Sequence, residues 1–285
     1  MAKINRQEHT AQILKQADIE QLFAIMSELE NTGRSATLEA LGVELTDGSK
    51  TAAVNQIKQA AVVTDGKVKA WLVPAISSSY VTGVNVIDGV LKTFGINTKL
   101  GKITVEVMKG TPQMKPHLDA VNSLLSDAYL DFGSGITGFV RGAEHTLNDA
   151  LKRQVQSKIS LGRLSGEDIR TIKNEIKQTL SQRGFDVLLD KGGRQWSLNQ
   201  YSEMLARTHI IRANTEATIN RGREFEVDIF EVSTHGADDD LCFPQEGKLY
   251  SASGKSKNYP KLTAANTPPF HPNCKHTLLP RPDLS

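Results

Sequence analysis

Residues 197–232, SLNQYSEMLARTHIIRANTEATINRGREFEVDIFEV, contain the sharpest change of pattern in the chain. Up to Gly222 the apolar side chains recur at steps of three and four residues, which is the spacing of one face of a helix. The apolar residues then crowd together between Val227 and Val232, as they do in a strand. This segment predicts a long helix, capped near Ser197, that leads directly into β structure.

The sequence before this segment is mostly helical in pattern. Helical spacing runs through about residues 10–31, and through two stretches after Pro116 that a glycine-rich break at Gly133–Gly138 separates. A capping box at Ser165–Asp168 opens a further helix. Between these helices, the run ITVEVM at Ile103–Met108 alternates as a half-buried strand does.

The sequence after this segment is rich in loops and holds seven of the ten prolines. Short strands are predicted at Lys248–Ser251 and Thr277–Leu279. The fold class is therefore mainly α with a small α+β, loop-rich C-terminal domain. We expect three regions: a partly helical N-terminal region at 1–112, a helical domain at 113–196 and the C-terminal domain at 197–285.

The composition and charge of the chain limit the classes of protein to which it can belong. The chain has 285 residues, is 39% hydrophobic and has a formal charge of +2, so we expect a globular, soluble protein. Positive charge is concentrated in residues 151–223, which contain 14 Lys or Arg residues and 7 Asp or Glu residues. The N-terminus lacks a secretory pattern, and polar residues interrupt the apolar run Trp71–Leu91, so we expect no membrane partner.

The two cysteines are too few for a disulfide framework, and they stand among histidines. Cys242 precedes a second group, HPNCKH, at residues 271–276. Thiolate and imidazole are the ligands that zinc prefers, and four of them can close a structural site over a loop with little core. The candidate ligands are Cys242, His271, Cys274 and His276. Two unpaired thiols, or a disulfide formed in an oxidising medium, remain alternatives.

A second candidate surface lies on the long helix. Arg207, His209 and Arg212 can present a basic face that contacts a protein partner or the phosphate backbone of DNA. A solvated face with salt bridges to neighbouring glutamates is the alternative. The acidic run Asp238–Asp240 is more consistent with a solvated loop than with a cation site. The sequence contains no phosphate-binding loop, nucleophile elbow or HExxH motif.

Three ordered motifs in the last hundred residues resemble one protein family. They are RQWSLNQYSEMLART at 194–208, VSTHGA at 232–237 with QEGKLY at 245–250, and HPNCKHTLLP at 271–280. Together they resemble the minor capsid proteins of tailed phages and the Mu F-like head morphogenesis proteins. Where many of those relatives end in Cys-x-Cys, this chain has His276 in the last position.

The resemblance implies a minor structural protein of a phage head, found in the virion and, during assembly, in the host cytoplasm. It implies the phage portal protein as a partner, with the major capsid or scaffold protein and packaged DNA as further partners. We therefore expect an interaction protein rather than an enzyme. Two alternatives from other classes are a zinc-dependent hydrolase or toxin-like enzyme carried in the head, and a sequence-independent DNA-binding protein.

Overall fold

The computed structural model describes residues 13–15, 17–42, 45–98, 104–161, 166–182, 188–189, 195–236 and 242–285. Helices make up 72% of the structure, and a small three-stranded antiparallel sheet lies near the C-terminus. This confirms the predicted class, mainly α with a small α+β part. The acidic run Asp238–Asp240 lies outside the described residues.

The described part of the chain contains the helices α1 (Ile19–Ala40), α2 (Asp47–Thr93), α3 (Val105–Gly110), α4 (Lys115–Leu161), α5 (Gly166–Gln182) and α6 (Leu198–Glu224). The longest of these are α2, α4 and α6. Helix α6 begins at the predicted capping box: the Ser197 hydroxyl accepts a hydrogen bond from the backbone N–H of Gln200, and the Gln200 side chain accepts one from the N–H of Ser197, each over 3.3 Å. This reciprocal pair is the local signal that fixes the start of the helix.

The strands form two antiparallel sheets. Strands β1 (Leu188–Leu189) and β2 (Gln195–Trp196) pair with each other. Strands β3 (Ile229–Val232), β4 (Leu249–Ser251) and β5 (Leu278–Pro280) form a second sheet in the order β4-β3-β5. The strands predicted from Val227, Lys248 and Thr277 are therefore confirmed.

Contacts divide the chain into two compact units. The first comprises Met1–Ile19, Leu72–Ala128 and Met204–Ser285, and the second comprises Glu20–Trp71 and Tyr129–Glu203. Each of α2, α4 and α6 contributes one stretch to each unit. The division into regions 1–112, 113–196 and 197–285 stays a prediction, because the units group residues by contact rather than by order along the chain.

Two local predictions are wrong. Helix α4 runs unbroken through Gly133–Gly138. At Gly135 an added Cβ would lie 2.8 Å from the Tyr201 ring, so this glycine permits a close approach inside the second unit rather than a break. The run ITVEVM is not a strand where it is described, because the Thr104 hydroxyl accepts a hydrogen bond from Val107 N–H and starts the short helix α3.

The core of the first unit joins the C-terminal sheet to helices α2 and α6. The Phe230 side chain is fully buried among apolar residues of α2, α6 and the neighbouring strands. Its ring takes the space where a Cβ of Gly222 would lie, with that position 2.6 Å from the ring. Burying one such aromatic side chain stabilises the fold by about 1.5–3 kcal/mol, so Phe230 anchors the sheet to the helices.

By length and composition, α2 is the one helix among the described residues that could cross a membrane. Pro74 lies inside it and does not end it, and Asp88 is buried. The most apolar 18-residue window is 56% buried inside the protein, and core helices of globular proteins pass the same test. Its apolar content therefore has an explanation in packing.

A buried ionic network links α6 to α2 and α4 inside the first unit. The Arg221 guanidinium donates to both carboxylate oxygens of Asp88, over 2.8 and 3.2 Å, and also to Glu224. The ring of His117 lies between Glu224, 2.8 Å from Nε2, and the Tyr80 hydroxyl, 2.9 Å from Nδ1. Burial favours a raised pKa for Glu224, but hydrogen bonds from His117 and Arg221 outweigh it and hold that pKa below its ordinary value. Glu224 is therefore held in its charged form.

Replacing Gly83 by Ala should destabilise the protein. An added Cβ would lie 2.5 Å from Asn214 O and 2.8 Å from Ala217 Cβ. Helices α2 and α6 would have to move apart, which should lower the free energy of unfolding by about 1–3 kcal/mol. Gly89→Ala, in the same helix with nothing within 4 Å, should instead gain about 0.5–1 kcal/mol. Urea unfolding measures both, and equal free energies of unfolding for the two variants would contradict this packing.

Replacing Arg221 by Met should cost about 3–5 kcal/mol, because it leaves Asp88 buried without its cation. Arg212→Met is the matched control, since Arg212 lies on the same helix and also contacts two carboxylates, Asp127 at 3.0 Å and Glu216 at 3.1 Å. Its side chain is 43% exposed, so its loss should cost about 1 kcal/mol or less. Thermal and urea unfolding compare the two variants. Similar losses would mean that the buried pair has no special part in stability.

Candidate metal centre

The topology of the C-terminal sheet brings three segments together. Because β3 is antiparallel to both neighbours, the end of β3 meets the starts of β4 and β5. The ladder continues past the strands, with Ser233 N–H donating to Thr277 O over 2.9 Å and Gly247 N–H donating to Val232 O over 3.0 Å. Residues 233–236, 242–248 and 271–277 therefore converge at one end of the sheet.

The motif HPNC forms a tight turn. The backbone N–H of Cys274 donates to His271 O over 3.1 Å, with Pro272 and Asn273 at the two central positions. Asn273 has a φ of 64°, a left-handed conformation that asparagine tolerates better than most residues. Proline sets the φ of the first central position. This turn places His271 and Cys274 side by side.

The four predicted ligands lie together. We call Cys242, His271, Cys274 and His276 the Cys/His cluster. Cys242 Sγ lies 3.2 Å from His271 Nε2 and 3.1 Å from His276 Nδ1, and Cys274 Sγ lies 3.6 Å from the same nitrogen of His276. The donor atoms of Cys242, His271 and Cys274 all lie within 4.8 Å of one another, as in groups that can hold a metal ion.

Three of the four cluster residues are buried, and His271 is partly exposed. Cys242 and Cys274 are 1% and 2% exposed and His276 is 1% exposed. Cys242 and Cys274 form no disulfide with each other. The His276 ring is packed edge-on against the His235 ring, with centroids 4.7 Å apart. The four residues that the sequence predicts as ligands therefore lie together, and that they bind a metal stays a prediction.

Glu246 lies behind His276. Its carboxylate is 2.9 Å from His276 Nε2, the ring nitrogen that points away from the sulfurs, and it accepts hydrogen bonds from the backbone N–H groups of His235 and Gly236 over 2.7 and 3.2 Å. Glu246 is not among the cluster residues that the sequence predicts. It follows the short helical turn Phe243–Gln245, which brings it close to the end of β3.

The electrostatics of the cluster favour charged forms. Burial would raise the pKa of Cys274, but hydrogen bonds, above all with His276, outweigh burial and lower it. Burial would lower the pKa of His276, but Cys274 and Glu246 together raise it. Burial would likewise raise the pKa of Glu246, but hydrogen bonds from His235 N–H and the His276 ring lower it. A stabilised thiolate is the form of cysteine that binds metals.

The predicted basic surface on α6 is wrong for His209. Its side chain is 3% exposed, because α6 buries residues around most of its circumference in the first unit. Arg207 is half-buried, and Arg212 is held between two carboxylates. Arg221, near the C-terminal end of α6, is buried in the ionic network. The side chains of α6 therefore offer much less free positive charge than the sequence predicts.

One comparison with known families identifies the chain. A family model described as phage minor capsid protein 2 matches residues 95–281, about two thirds of the chain. The matched range includes α4, α6, the C-terminal sheet and the complete Cys/His cluster. No curated protein and no solved structure matches.

Proposed function

The chain belongs to the phage minor capsid protein 2 family, a family of structural head proteins of the virion, and we propose that it acts at the portal vertex during head assembly. The observation that carries this proposal is the family match over 95–281, which spans the sheet and the cluster. The motifs at 194–208, 232–250 and 271–280 support it, because the resemblance that they carry implies recruitment to the head together with the portal.

The arrangement of the cluster supports a structural role over the enzyme alternative. A catalytic zinc site keeps one position open for water, whereas four protein donors close it. Here two sulfurs and two ring nitrogens converge. Glu246 lies on the far side of His276, and its carboxylate is already held by three hydrogen bonds, so it is not placed as a base toward an open ligand position.

The structure of α6 does not favour DNA as the principal partner. Sequence-independent DNA binding needs several free cations on one face. His209 is buried and the charge of Arg212 is balanced by Asp127 and Glu216. A protein partner in the head, first the portal and then the major capsid or scaffold protein, therefore fits the chain better than packaged DNA.

This proposal predicts that the purified protein co-sediments with the portal ring of the same phage in moderate salt. Protein–protein contacts are less sensitive to salt than phosphate contacts, so the association should persist as the salt concentration rises severalfold. Sucrose-gradient sedimentation, followed by gel analysis of each fraction, makes the measurement. Assembled capsid shells without portal, and linear DNA, are the parallel samples.

Each outcome separates the candidate roles. Association with the portal but not with portal-free shells supports a place at the portal vertex. Association with the shells alone would replace the portal by the major capsid protein as the partner. Association with DNA alone, lost steeply as salt rises, would favour the DNA-binding alternative.

A further inference from the structure

We propose that the Cys/His cluster binds one zinc ion in a closed structural site, with Glu246 as the positioning residue behind it. This inference concerns how the C-terminal fold is held, and it does not depend on the role at the portal. It rests on the geometry of the donor atoms, on the hydrogen bonds that fix the histidine rings and on the burial of the two sulfurs.

Three sulfur–nitrogen separations in the cluster are close to those around a tetrahedral zinc ion, and the donor atoms of Cys242, His271 and Cys274 lie within 4.8 Å of one another. With Zn–S near 2.3 Å and Zn–N near 2.0–2.1 Å, the corners of a tetrahedron are about 3.3–3.8 Å apart. The three contacts between sulfur and nitrogen in the cluster are 3.1, 3.2 and 3.6 Å. A small outward shift of Cys242 Sγ brings all three into that range.

Hydrogen bonding alone explains the cluster poorly. His271 Nε2 and His276 Nδ1 both point at the single sulfur of Cys242, which is 1% exposed. A thiol carries one proton and its sulfur is a weak acceptor, so hydrogen bonds to it are weak. A metal ion is a stronger common partner for a sulfur and two ring nitrogens that converge in this way.

A hydrogen bond behind each histidine ring turns the other ring nitrogen toward the sulfurs. Glu246 Oε1 accepts a hydrogen bond from His276 Nε2, so a zinc ion that displaces the proton of Nδ1 finds that nitrogen facing the sulfurs. The carbonyl of Pro272 lies 2.8 Å from His271 Nδ1 and accepts its proton, which leaves Nε2 to ligate. A carboxylate or carbonyl behind each ligating histidine is the usual second layer of a zinc site.

The donor set selects the metal and its role. Two thiolates and two imidazoles in a tetrahedral arrangement suit zinc and exclude the hard cations calcium and magnesium, which require oxygen ligands. Four protein donors leave no position for water, so the ion is structural. It would tie the connection between β3 and β4, at Cys242, to the end of the connection between β4 and β5, at His271–His276.

The full-length protein, purified without added metal or chelator, should contain one zinc per chain by atomic emission. Cys274→Ser and Cys242→Ser should each lose the zinc, because each removes one of the four donors. His145→Ala is the matched control: His145 is 77% exposed and lies on α4, so this variant should keep one zinc per chain.

Cobalt substitution tests the ligands in the folded wild-type protein and needs no variant. Co²⁺ in place of zinc should give the visible absorption of a tetrahedral site, with sulfur-to-metal charge transfer in the near ultraviolet from two thiolates. A folded protein that holds neither zinc nor Co²⁺ with this spectrum would overturn the proposal. So would a Cys242→Ser/Cys274→Ser double variant that retains one zinc per chain.

Glu246→Gln tests the positioning role separately. The variant should still bind one zinc at saturation, but about 10–100-fold more weakly in competition with a chromophoric chelator, because the neutral amide orients and polarises His276 less well. A side chain that only supports the fold would change Tm without changing zinc affinity in the folded protein. Unchanged zinc affinity in Glu246→Gln would remove Glu246 from the site.

Discussion

The C-terminal part of the molecule depends on one constraint: a very small sheet must hold a very long connection. Its strands have four, three and three residues, and residues 252–277 join β4 to β5 with little regular structure. Connections longer than about 12–15 residues need a function or a local anchor. The sheet is anchored at its centre by the buried ring of Phe230 and, at the end of β3, by the Cys/His cluster. At the start of β3, the Asp228 carboxylate accepts hydrogen bonds from the Ser251 hydroxyl and Ser253 N–H.

The elements that the sequence predicts correctly are those fixed by local chemistry. The start of α6 follows from a capping box within four residues. The three short strands of the C-terminal sheet follow from local runs of apolar residues. The four candidate ligands are chosen by residue type, and that they bind a metal stays a prediction; the antiparallel pairing of the strands, which the sequence did not predict, brings them together.

The elements that the sequence predicts wrongly are those decided by contacts between distant segments. Whether Gly135 breaks a helix or lets one pack closely depends on Tyr201, 66 positions away along the chain. The basic neighbours of His209 in the sequence predict an exposed side chain, yet it is buried because α6 is covered around most of its circumference. The pair Asp88–Arg221 joins residues 133 positions apart, although an aspartate inside an apolar run already requires a partner.

The cluster and the apolar core support different parts of the C-terminal fold. The core around Phe230 contains residues of α2, α6 and all three strands, but none of the four cluster residues. The strands and helices therefore have an apolar support of their own, whereas the polar contacts of the cluster and of Glu246 join the segments 242–248 and 271–277 to each other and to the end of β3. A polar cluster outside the apolar core leaves the helices free to vary their outer faces. That separation suits a structural head protein, whose contacts must match a particular assembly while its fold stays fixed.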